Sequence, residues 1–317
     1  MIEAQITVPA APGLNYGAGL FLPDDYATTS QLYPLLVFLH GAGEASPPLS
    51  NIYNSASAGG PAYLIEHGLW PENFVNPRDG KQYKFIVVSP QSNNGWSTSG
   101  DQLESIINYL VATYRVDTSR IYGTGLSAGG AGCCEFAAHL DAATETKLTS
   151  TRTHKFAAMV PMSMATIEPK QTWANLIVSD GVMVWGLGDQ NGDVYGDTTM
   201  DLVTFMNTAK AGTARFTGNP PFTYGHGGWN HFYDPTYREQ IAFQGVTASM
   251  NIYEWMLINQ QGVTPSGGTI PPSGTTMPPS GTTTPPPATP TVTKVVTTTV
   301  VTLSDGSTKS TTTTNYP

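Results

Sequence analysis

Five continuous apolar segments of strand length constrain the fold of this chain most strongly. They span residues 34–41, 84–90, 119–126, 156–164 and 181–189, and helix-length segments separate them. Strands that are hydrophobic throughout are typical of a parallel sheet covered on both faces, because neither face is left for water. Alternation of such strands with helices is the α/β pattern. We therefore predict an α/β fold with a mostly parallel central sheet.

The intervening segments have helical periodicity. Residues 101–114 place five apolar residues on one stripe, and Asp101 is suited to cap that helix. The stripe consists of Leu103, Ile106, Ile107, Leu110 and Val111. Further helices are predicted at residues 128–140, 197–211 and 250–260. Before the first buried strand, EAQITV and YGAGLFLP predict an antiparallel pair at the sheet edge.

The composition changes near Gly262, which predicts a boundary there. Residues 1–262 are the expected catalytic domain, and residues 263–290, with the repeats PPSGTTM and PPSGTTT, are an expected extended linker. Residues 291–317 alternate Val and Thr around SDGS, so we expect a disordered tail or a hairpin of residues 292–303 and 307–314. A linker implies neighbours, so additional modules are expected.

The charge balance restricts the partners of the domain. Two of the 14 basic and one of the 23 acidic residues lie after residue 262, which leaves 12 basic against 22 acidic residues before it. This excess of acidic residues argues against nucleic acid and anionic membranes as partners. No segment is long and apolar enough to span a membrane, and MIEAQITVPA is not a signal peptide. We expect a secreted or periplasmic protein whose signal peptide is not within this sequence.

The two cysteines, Cys133 and Cys134, are adjacent. Adjacent cysteines cannot join distant segments, so no disulfide framework is expected. We interpret both as small buried hydrophobic residues of a helix rather than as redox groups or metal ligands.

The segment YGTGLSAGGAG, residues 122–132, fits two incompatible motifs. From Gly123 it has the glycine spacing of a dinucleotide site, and from Gly125 it is G-x-S-x-G, the turn that carries a nucleophilic serine. A dinucleotide site needs a carboxylate at the end of the next strand, and FAAMVPMSM has none. The serine turn needs a strand before and a helix after Ser127, and both are predicted. We therefore interpret Ser127 as a nucleophile.

Two backbone amides are expected to bind the oxyanion that forms when a serine attacks a carbonyl. Ala128 begins the helix after Ser127, and the positive end of that helix faces the site. Ala42 lies in FLHGAGE, in the loop after an early strand, where the second donor is expected. His40 beside it can tie this loop by hydrogen bonds.

A serine needs a base, and the fold order is serine, acid, histidine. His226 and His231 both follow at a suitable distance in TYGHGGWNHFYDP. We favour His226, since it directly follows ARFTGNPPFTYG, the apparent final strand, and glycines flank it. His231 is then a structural or rim residue.

The acid should follow the strand that precedes the histidine strand. The segment VMVWGLGDQNGDVYGD offers Asp189, Asp193 and Asp197. We favour Asp189 because it leaves the strand first, whereas Asp197 is placed to cap the next helix. A calcium loop is the competing interpretation of DQNGD, but the full EF-hand spacing is absent, so no metal is expected.

Three side chains are candidate substrate contacts. Trp96 follows the carboxyl end of a predicted strand, where ligands lie in open α/β sheets, although packing of a loop Trp on the domain is an equal alternative. Gln91 and Trp229 are the other two candidates.

Six segments in sequence, PLLVFLHGAGE, VVSPQ, RIYGTGLSAGGAG, FAAMVPMSM, VWGLGD and GHGGWNHFYDP...NIYEWML, give residues 1–260 a family resemblance. The domain resembles α/β-hydrolase esterases of the predicted-peptidase and polyhydroxybutyrate-depolymerase-like group, close to family 1 carbohydrate esterases such as acetylxylan and feruloyl esterases. The resemblance implies an α/β-hydrolase fold with Ser127, Asp189 and His226 as its triad. WGLGD and GHGGWNHFY depart from the usual family motifs, which affects the shape of the pocket.

Together these features predict a serine carboxylesterase that acts through an acyl-enzyme and needs no cofactor. By family analogy, the expected substrate is an acetyl or feruloyl ester on plant cell-wall polysaccharide. The alternatives are hydrolysis of polyesters or short-chain esters, peptidase activity, and a non-catalytic carbohydrate-binding module.

Overall fold

The structure of the chain is a computed structural model. It describes residues 2–6, 17–45, 47–92, 96, 100–141, 146–147, 152–165, 167–188, 193–218, 225–262, 295–302 and 308–315. The expected linker at residues 263–290 and the expected acid Asp189 lie outside the described residues.

Sixteen strands occur in the described part of the chain. They are β1 (Ile2–Ile6), β2 (Ala18–Leu22), β3 (Tyr33–Leu39), β4 (Phe74–Val75), β5 (Gln82–Tyr83), β6 (Ile86–Pro90), β7 (Val116–Leu126), β8 (Leu140–Asp141), β9 (Thr146–Lys147), β10 (Ala158–Met162), β11 (Met183–Leu187), β12 (Ala214–Thr217), β13 (Glu239–Phe243), β14 (Val246–Met250), β15 (Val295–Thr302) and β16 (Thr308–Asn315).

Eight α-helices lie between these strands, within the same described ranges. They are α1 (Ser50–Asn54), α2 (Pro61–Glu66), α3 (Gly100–Thr113), α4 (Ala128–Ala138), α5 (Gln171–Ser179), α6 (Val194–Ala209), α7 (Trp229–Tyr233) and α8 (Ile252–Leu257). None of these helices combines the length and apolarity that crossing a bilayer requires.

One sheet forms the centre of the domain, in the order β1-β2-β6-β3-β7-β10-β11-β12. Strands β6, β3, β7, β10, β11 and β12 are parallel to their neighbours in this run, which confirms the predicted parallel sheet. Strand β1 pairs with β2, and β2 with β6, in antiparallel fashion at one edge, as EAQITV and YGAGLFLP predict. The carboxyl ends of the parallel strands therefore meet at one edge of the sheet.

Alternate side chains of β3, in the middle of the sheet, pack into two separate cores. In β3, Leu35 and Val37 belong to the core under α3 to α6, whereas Leu36 and Phe38 belong to the core on the other face with α1, α2 and α8. Both faces are therefore covered by helices, which explains why the strands are apolar throughout. The predicted stripe of α3 is confirmed, because Leu103, Ile106, Ile107 and Leu110 are fully buried.

Cys133 and Cys134 are free and fully buried in α4, as expected of small hydrophobic residues.

Helix α6 begins at Val194 rather than at the predicted residue 197, because the side chain of Asp193 and not that of Asp197 caps it. Helix α5 and the hairpin of β13 and β14 were not predicted.

The C-terminal strands pair with each other. β15 and β16 are antiparallel, with Val295 opposite Asn315 and Thr302 opposite Thr308. This pairing corresponds to the hairpin alternative for the tail.

Candidate active site

Ser127 lies at the sharp turn between β7 and α4. Its backbone has φ 53° and ψ −120°, a conformation that a residue with a side chain adopts only at a cost of roughly 1–3 kcal/mol. The turn is held on both sides, since Ser127 N–H donates to Met162 O (2.9 Å) and Ser127 O accepts from Ala165 N–H (3.2 Å). Such strain, kept by the surrounding structure, is typical of an exposed nucleophile.

Two glycines make this turn possible. A methyl group on Gly125 would lie 2.4 Å from the carbonyl of Gly129, and one on Gly129 would lie 2.0 Å from Leu39 O. Helix α4 therefore starts directly against the end of β3, and neither position has room for a side chain. The geometry satisfies the requirement of the G-x-S-x-G motif and not that of a dinucleotide loop. Gly123, the first glycine of the competing motif, instead makes room for the ring of Phe156.

His226 is the histidine that the structure places on the serine. Its Nε2 lies 2.9 Å from Ser127 Oγ. His226 lies between Gly225 and Gly228, whose φ angles of 59° and 72° let the loop turn over the sheet edge. The side chain of His226 is 35% exposed, so a substrate can approach it from solvent. His231 lies one element further on, in α7.

Asp193 holds the other nitrogen of this histidine. Its Oδ1 and Oδ2 lie 3.1 and 3.2 Å from His226 Nδ1. A carboxylate only accepts, so Nδ1 carries the proton and donates it, and Nε2 is free to accept from the serine hydroxyl. The contact expected of Asp189 is thus made by Asp193, and Asp189 lies outside the described residues.

Asp193 is also the N-cap of α6. Its Oδ1 accepts from the N–H of Tyr195 at 3.0 Å, and its side chain is only 1% exposed. Helix α6 has 16 residues, and its positive end favours a negative group at the N-terminus. The same helix end therefore orients the carboxylate and stabilises its negative charge, which is buried away from water.

The expected oxyanion donors lie in segments next to the serine turn. Ala128 is the first residue of α4, so its N–H is one of those that a helix leaves unpaired within itself. Ala42 begins a short 3₁₀ turn (Ala42–Glu44), and a methyl group on the preceding Gly41 would lie 3.6 Å from Leu126 O. The loop that carries Ala42 is thus in contact with the strand that ends at the nucleophile.

His40 fixes the orientation of this loop. Its Nδ1–H donates to Gly41 O at 2.7 Å, and its Nε2 accepts from Ser92 N–H at 3.0 Å. Burial lowers the pKa of His40 to about 4, so the ring is neutral at physiological pH. In a trans peptide the C=O and the N–H point in opposite directions, so Ala42 N–H points away from His40.

Two of the three candidate substrate contacts are buried, and for Trp96 this is the packing alternative. Trp96 is only 1% exposed, because its indole packs over Gly132 of α4 and its Nε1–H donates to His40 O at 2.9 Å. Gln91 is fully buried, and its Nε2 donates to Glu44 O (2.9 Å) and Pro48 O (3.2 Å). Both side chains hold the loops after β3 and β6 together instead of facing a ligand.

Two aromatic rings flank His226. The Trp229 ring lies 5.0 Å from it at 88°, and the Tyr195 ring lies 4.8 Å from it at 61°. Both side chains are partly exposed. Trp229 was one of the expected contacts, whereas Tyr195 was missed; its position two residues after Asp193 was the available signal. Both rings thus present aromatic surface next to His226.

The residues that the structure describes contain no cluster of three or more metal-ligating side chains. A hydroxyl, an imidazole and a buried carboxylate in line can deprotonate the hydroxyl as it attacks and hold the imidazolium that results.

Comparisons with known proteins bear on the fold. No protein-family model matches the chain. Feruloyl esterase B of Neurospora crassa is 26% identical over 141 residues, which is 40% of this chain. The chain spans only 40% of the length of that relative. The feruloyl esterase module from Clostridium thermocellum, solved in complex with sinapinate, has a TM-score of 0.50 at 15% identity, covering 74% of this chain and 85% of that chain. A putative dienelactone hydrolase from Klebsiella pneumoniae has a TM-score of 0.46 at 14% identity, covering 69% and 85%.

At such low identity the likeness to the Clostridium module concerns the fold alone. The mostly parallel sheet of this chain, covered by helices on both faces, agrees with this likeness. The chain therefore has the α/β-hydrolase fold.

Proposed function

We propose that this chain is a serine carboxylesterase that works through an acyl-enzyme. The observation that carries the proposal is the line of hydrogen bonds from Ser127 Oγ through His226 to Asp193. This line has the direction that nucleophilic catalysis requires, because each group orients or deprotonates the one before it.

In the proposed mechanism, Ser127 Oγ attacks the ester carbonyl carbon while His226 Nε2 takes its proton. The tetrahedral intermediate collapses, the bond to the alcohol oxygen breaks, and Nε2 returns the proton to the leaving alcohol. Water then attacks the acyl-serine by the same route and releases the acid. Asp193 takes the role expected of Asp189: it keeps the proton on Nδ1 and stabilises the imidazolium. No cofactor takes part in these steps.

The oxyanion of the intermediate is assigned to the amides of Ala128 and Ala42. Ala128 N–H is at the positive end of α4, and the bond from His40 to Gly41 O turns Ala42 N–H away from His40. Preorganised amides of this kind are worth about 3–4 kcal/mol each in comparable sites, because they need no reorganisation as charge develops.

The proposed substrate is a feruloyl-type ester on plant cell-wall polysaccharide. Two observations support an aromatic acyl group: the aromatic side chains of Tyr195 and Trp229 beside His226, and the partial similarity to feruloyl esterase B. The acidic domain suits an uncharged polymer better than a polyanion. A polymeric substrate of this kind implies that the protein acts outside the cell, in keeping with the modular linker.

A substrate panel tests this proposal. Wild type and Ser127→Ala are compared on methyl ferulate, acetylated xylan, 4-nitrophenyl acetate and an aliphatic polyester, ranked by kcat/KM. The proposal predicts the highest kcat/KM on methyl ferulate and no turnover by Ser127→Ala on any ester.

The other outcomes separate the alternatives. Preference for acetylated xylan or for the polyester would keep the mechanism and replace the substrate. Cleavage of casein without ester turnover would identify a peptidase. Equal behaviour of wild type and Ser127→Ala, together with retention on xylan, would identify a non-catalytic binding module.

A further inference from the structure

Three consecutive amides after β10 bind three different elements. Ser163 N–H donates to Leu187 O at the end of β11 (2.8 Å), and Ala165 N–H donates to Ser127 O (3.2 Å). Between them, Met164 N–H donates to the Thr199 hydroxyl of α6 (2.9 Å). We name residues 163–165 the β10 turn. It touches the nucleophile on one side and the helix that carries the acid on the other.

Thr199 is fully buried, and both capacities of its hydroxyl are in use. Oγ1 accepts from Met164 N–H and donates to Tyr195 O at 3.0 Å. Its methyl group is packed over β11, since a methyl group added to Gly186 would lie 2.9 Å from Thr199 Cγ2. With the methyl group and the hydroxyl both in contact, the side chain has one orientation.

The first turn of α6 is therefore held at three points. Tyr195 O is bound to Thr199, and Tyr195 N–H is bound to Asp193 Oδ1. Gly196 lies against Gly188 so closely that a methyl group on Gly188 would be 2.7 Å from Gly196 Cα. The position of the Asp193 carboxylate is set by this turn and by its bond to His226.

These contacts close a ring. It runs from Ser127 O to the β10 turn, through Thr199 to Tyr195, on to Asp193 and His226, and back to Ser127 Oγ. Within the described part of the chain, the Thr199 hydroxyl joins the β10 turn to α6 and completes this ring.

We propose that Thr199 is a positioning residue for the esterase reaction. It fixes the acid-bearing end of α6 relative to the serine turn, and so sets the distance across which Asp193 and Ser127 share His226. Thr199 touches no reacting atom and acts through Asp193. The inference rests on the triad of the proposed function.

Two other threonines of α6 serve as controls for a role of the Thr199 hydroxyl within the helix alone. Thr204 and Thr208 also donate to the carbonyl four residues earlier in α6, at 3.0 and 2.9 Å. Both bonds are exposed to solvent, and neither hydroxyl accepts from the β10 turn. Thr204→Val thus removes a hydrogen bond of the same kind within α6 as Thr199→Val does, but it leaves the ring intact.

The test compares Thr199→Val, Thr199→Ser and Thr204→Val on 4-nitrophenyl acetate. Because misplacement by about 1 Å can cost about 10²-fold, we expect Thr199→Val to lower kcat about 10- to 100-fold with KM within about twofold of wild type. Thr199→Ser keeps the hydroxyl and should restore kcat to within about threefold of wild type. Thr204→Val should match wild type. If Thr199→Val does not fold, Thr199→Ala, which adds no bulk, takes its place.

A double variant shows whether Thr199 acts through the acid. In an Asp193→Ala background, Thr199→Val should lower kcat by less than about twofold, because the group that it positions is gone. Full additivity, or a Thr199→Val enzyme with the kcat of Thr204→Val, would overturn the inference while leaving the esterase proposal standing. A wild-type chain that hydrolyses no ester would overturn both.

Discussion

Asp193 and His226 are joined through both carboxylate oxygens, at 3.1 and 3.2 Å from Nδ1, and the same carboxylate caps α6. One side chain thus begins a helix and orients the proposed base. This double use places the acid at a defined point of the fold, the N-cap of α6.

Asp193→Asn should lower kcat about 10³- to 10⁴-fold, since an amide can donate to Nδ1 and stabilise the wrong tautomer. The measurement is steady-state hydrolysis of 4-nitrophenyl acetate. Asp197→Asn, an exposed change in the first turn of the same helix, is the matched control and should retain activity. A fully active Asp193→Asn together with an inactive Asp189→Asn would return the role to Asp189.

Gly129→Ala should destabilise the domain and abolish activity, because the new methyl group would lie 2.0 Å from Leu39 O. Overpacking of this kind costs about 1–3 kcal/mol, and its relief would move Ser127 away from His226. Urea unfolding and ester turnover measure the two effects. Gly43→Ala, in the loop after β3 with no atom within 4 Å of the new group, is the control and should leave stability unchanged. Equal behaviour of the two variants would contradict the close contact of α4 with β3.

Trp96→Phe should affect stability and not substrate binding. The change leaves His40 O without its donor in a buried site, at a cost of about 1–3 kcal/mol, while KM stays constant. A raised KM in Trp96→Phe would restore Trp96 as a substrate contact.

Trp229→Ala should lower kcat/KM for methyl ferulate about tenfold, since it removes aromatic surface beside His226.

His40 should make stability depend on pH. Burial lowers its pKa from 6.5 to about 4, so below about pH 6.5 the unfolded chain binds a proton that the folded chain does not. The stability that neutral His40 contributes is fully present above about pH 6.5 and is lost as the pH falls toward 4. The total loss in the free energy of unfolding is about 3 kcal/mol.

Urea unfolding of His40→Gln and His67→Gln between pH 7 and pH 4 measures this contribution. Wild type and the exposed control His67→Gln should lose stability together with falling pH, whereas His40→Gln should start lower and lose about 3 kcal/mol less. Parallel curves for all three chains would show that His40 is not buried as a neutral ring.

Much of the fold could be predicted from local pattern. The five buried strands follow from continuous apolar segments, and the stripe of α3 follows from helical periodicity. Ser127 and His226 follow from short motifs with glycines on the required sides. Helix α5 and the β13–β14 hairpin were not predicted, because they lie between the recognised motifs.

The acid and the substrate contacts depend on tertiary contacts that local pattern does not contain. Asp193 reaches His226 because Gly188 and Gly196 let α6 start against β11, which moves the helix start back from residue 197. Trp96 follows a strand end, as a ligand contact would, but Gly132 opens a buried space for its ring. In both cases a glycine, Gly188 or Gly132, allows the close contact that places the side chain.

The central claim is that Ser127 forms a covalent acyl-enzyme, and trapping that intermediate tests it most directly. Wild-type protein is mixed with excess 4-nitrophenyl acetate, quenched in acid within the first turnover, digested and analysed by peptide mass spectrometry, with Ser127→Ala treated in parallel. The account predicts one acetyl group per chain on Ser127, released at the rate of steady-state turnover, and none in Ser127→Ala. Turnover with no acetyl group on Ser127, or undiminished turnover by Ser127→Ala, would contradict it.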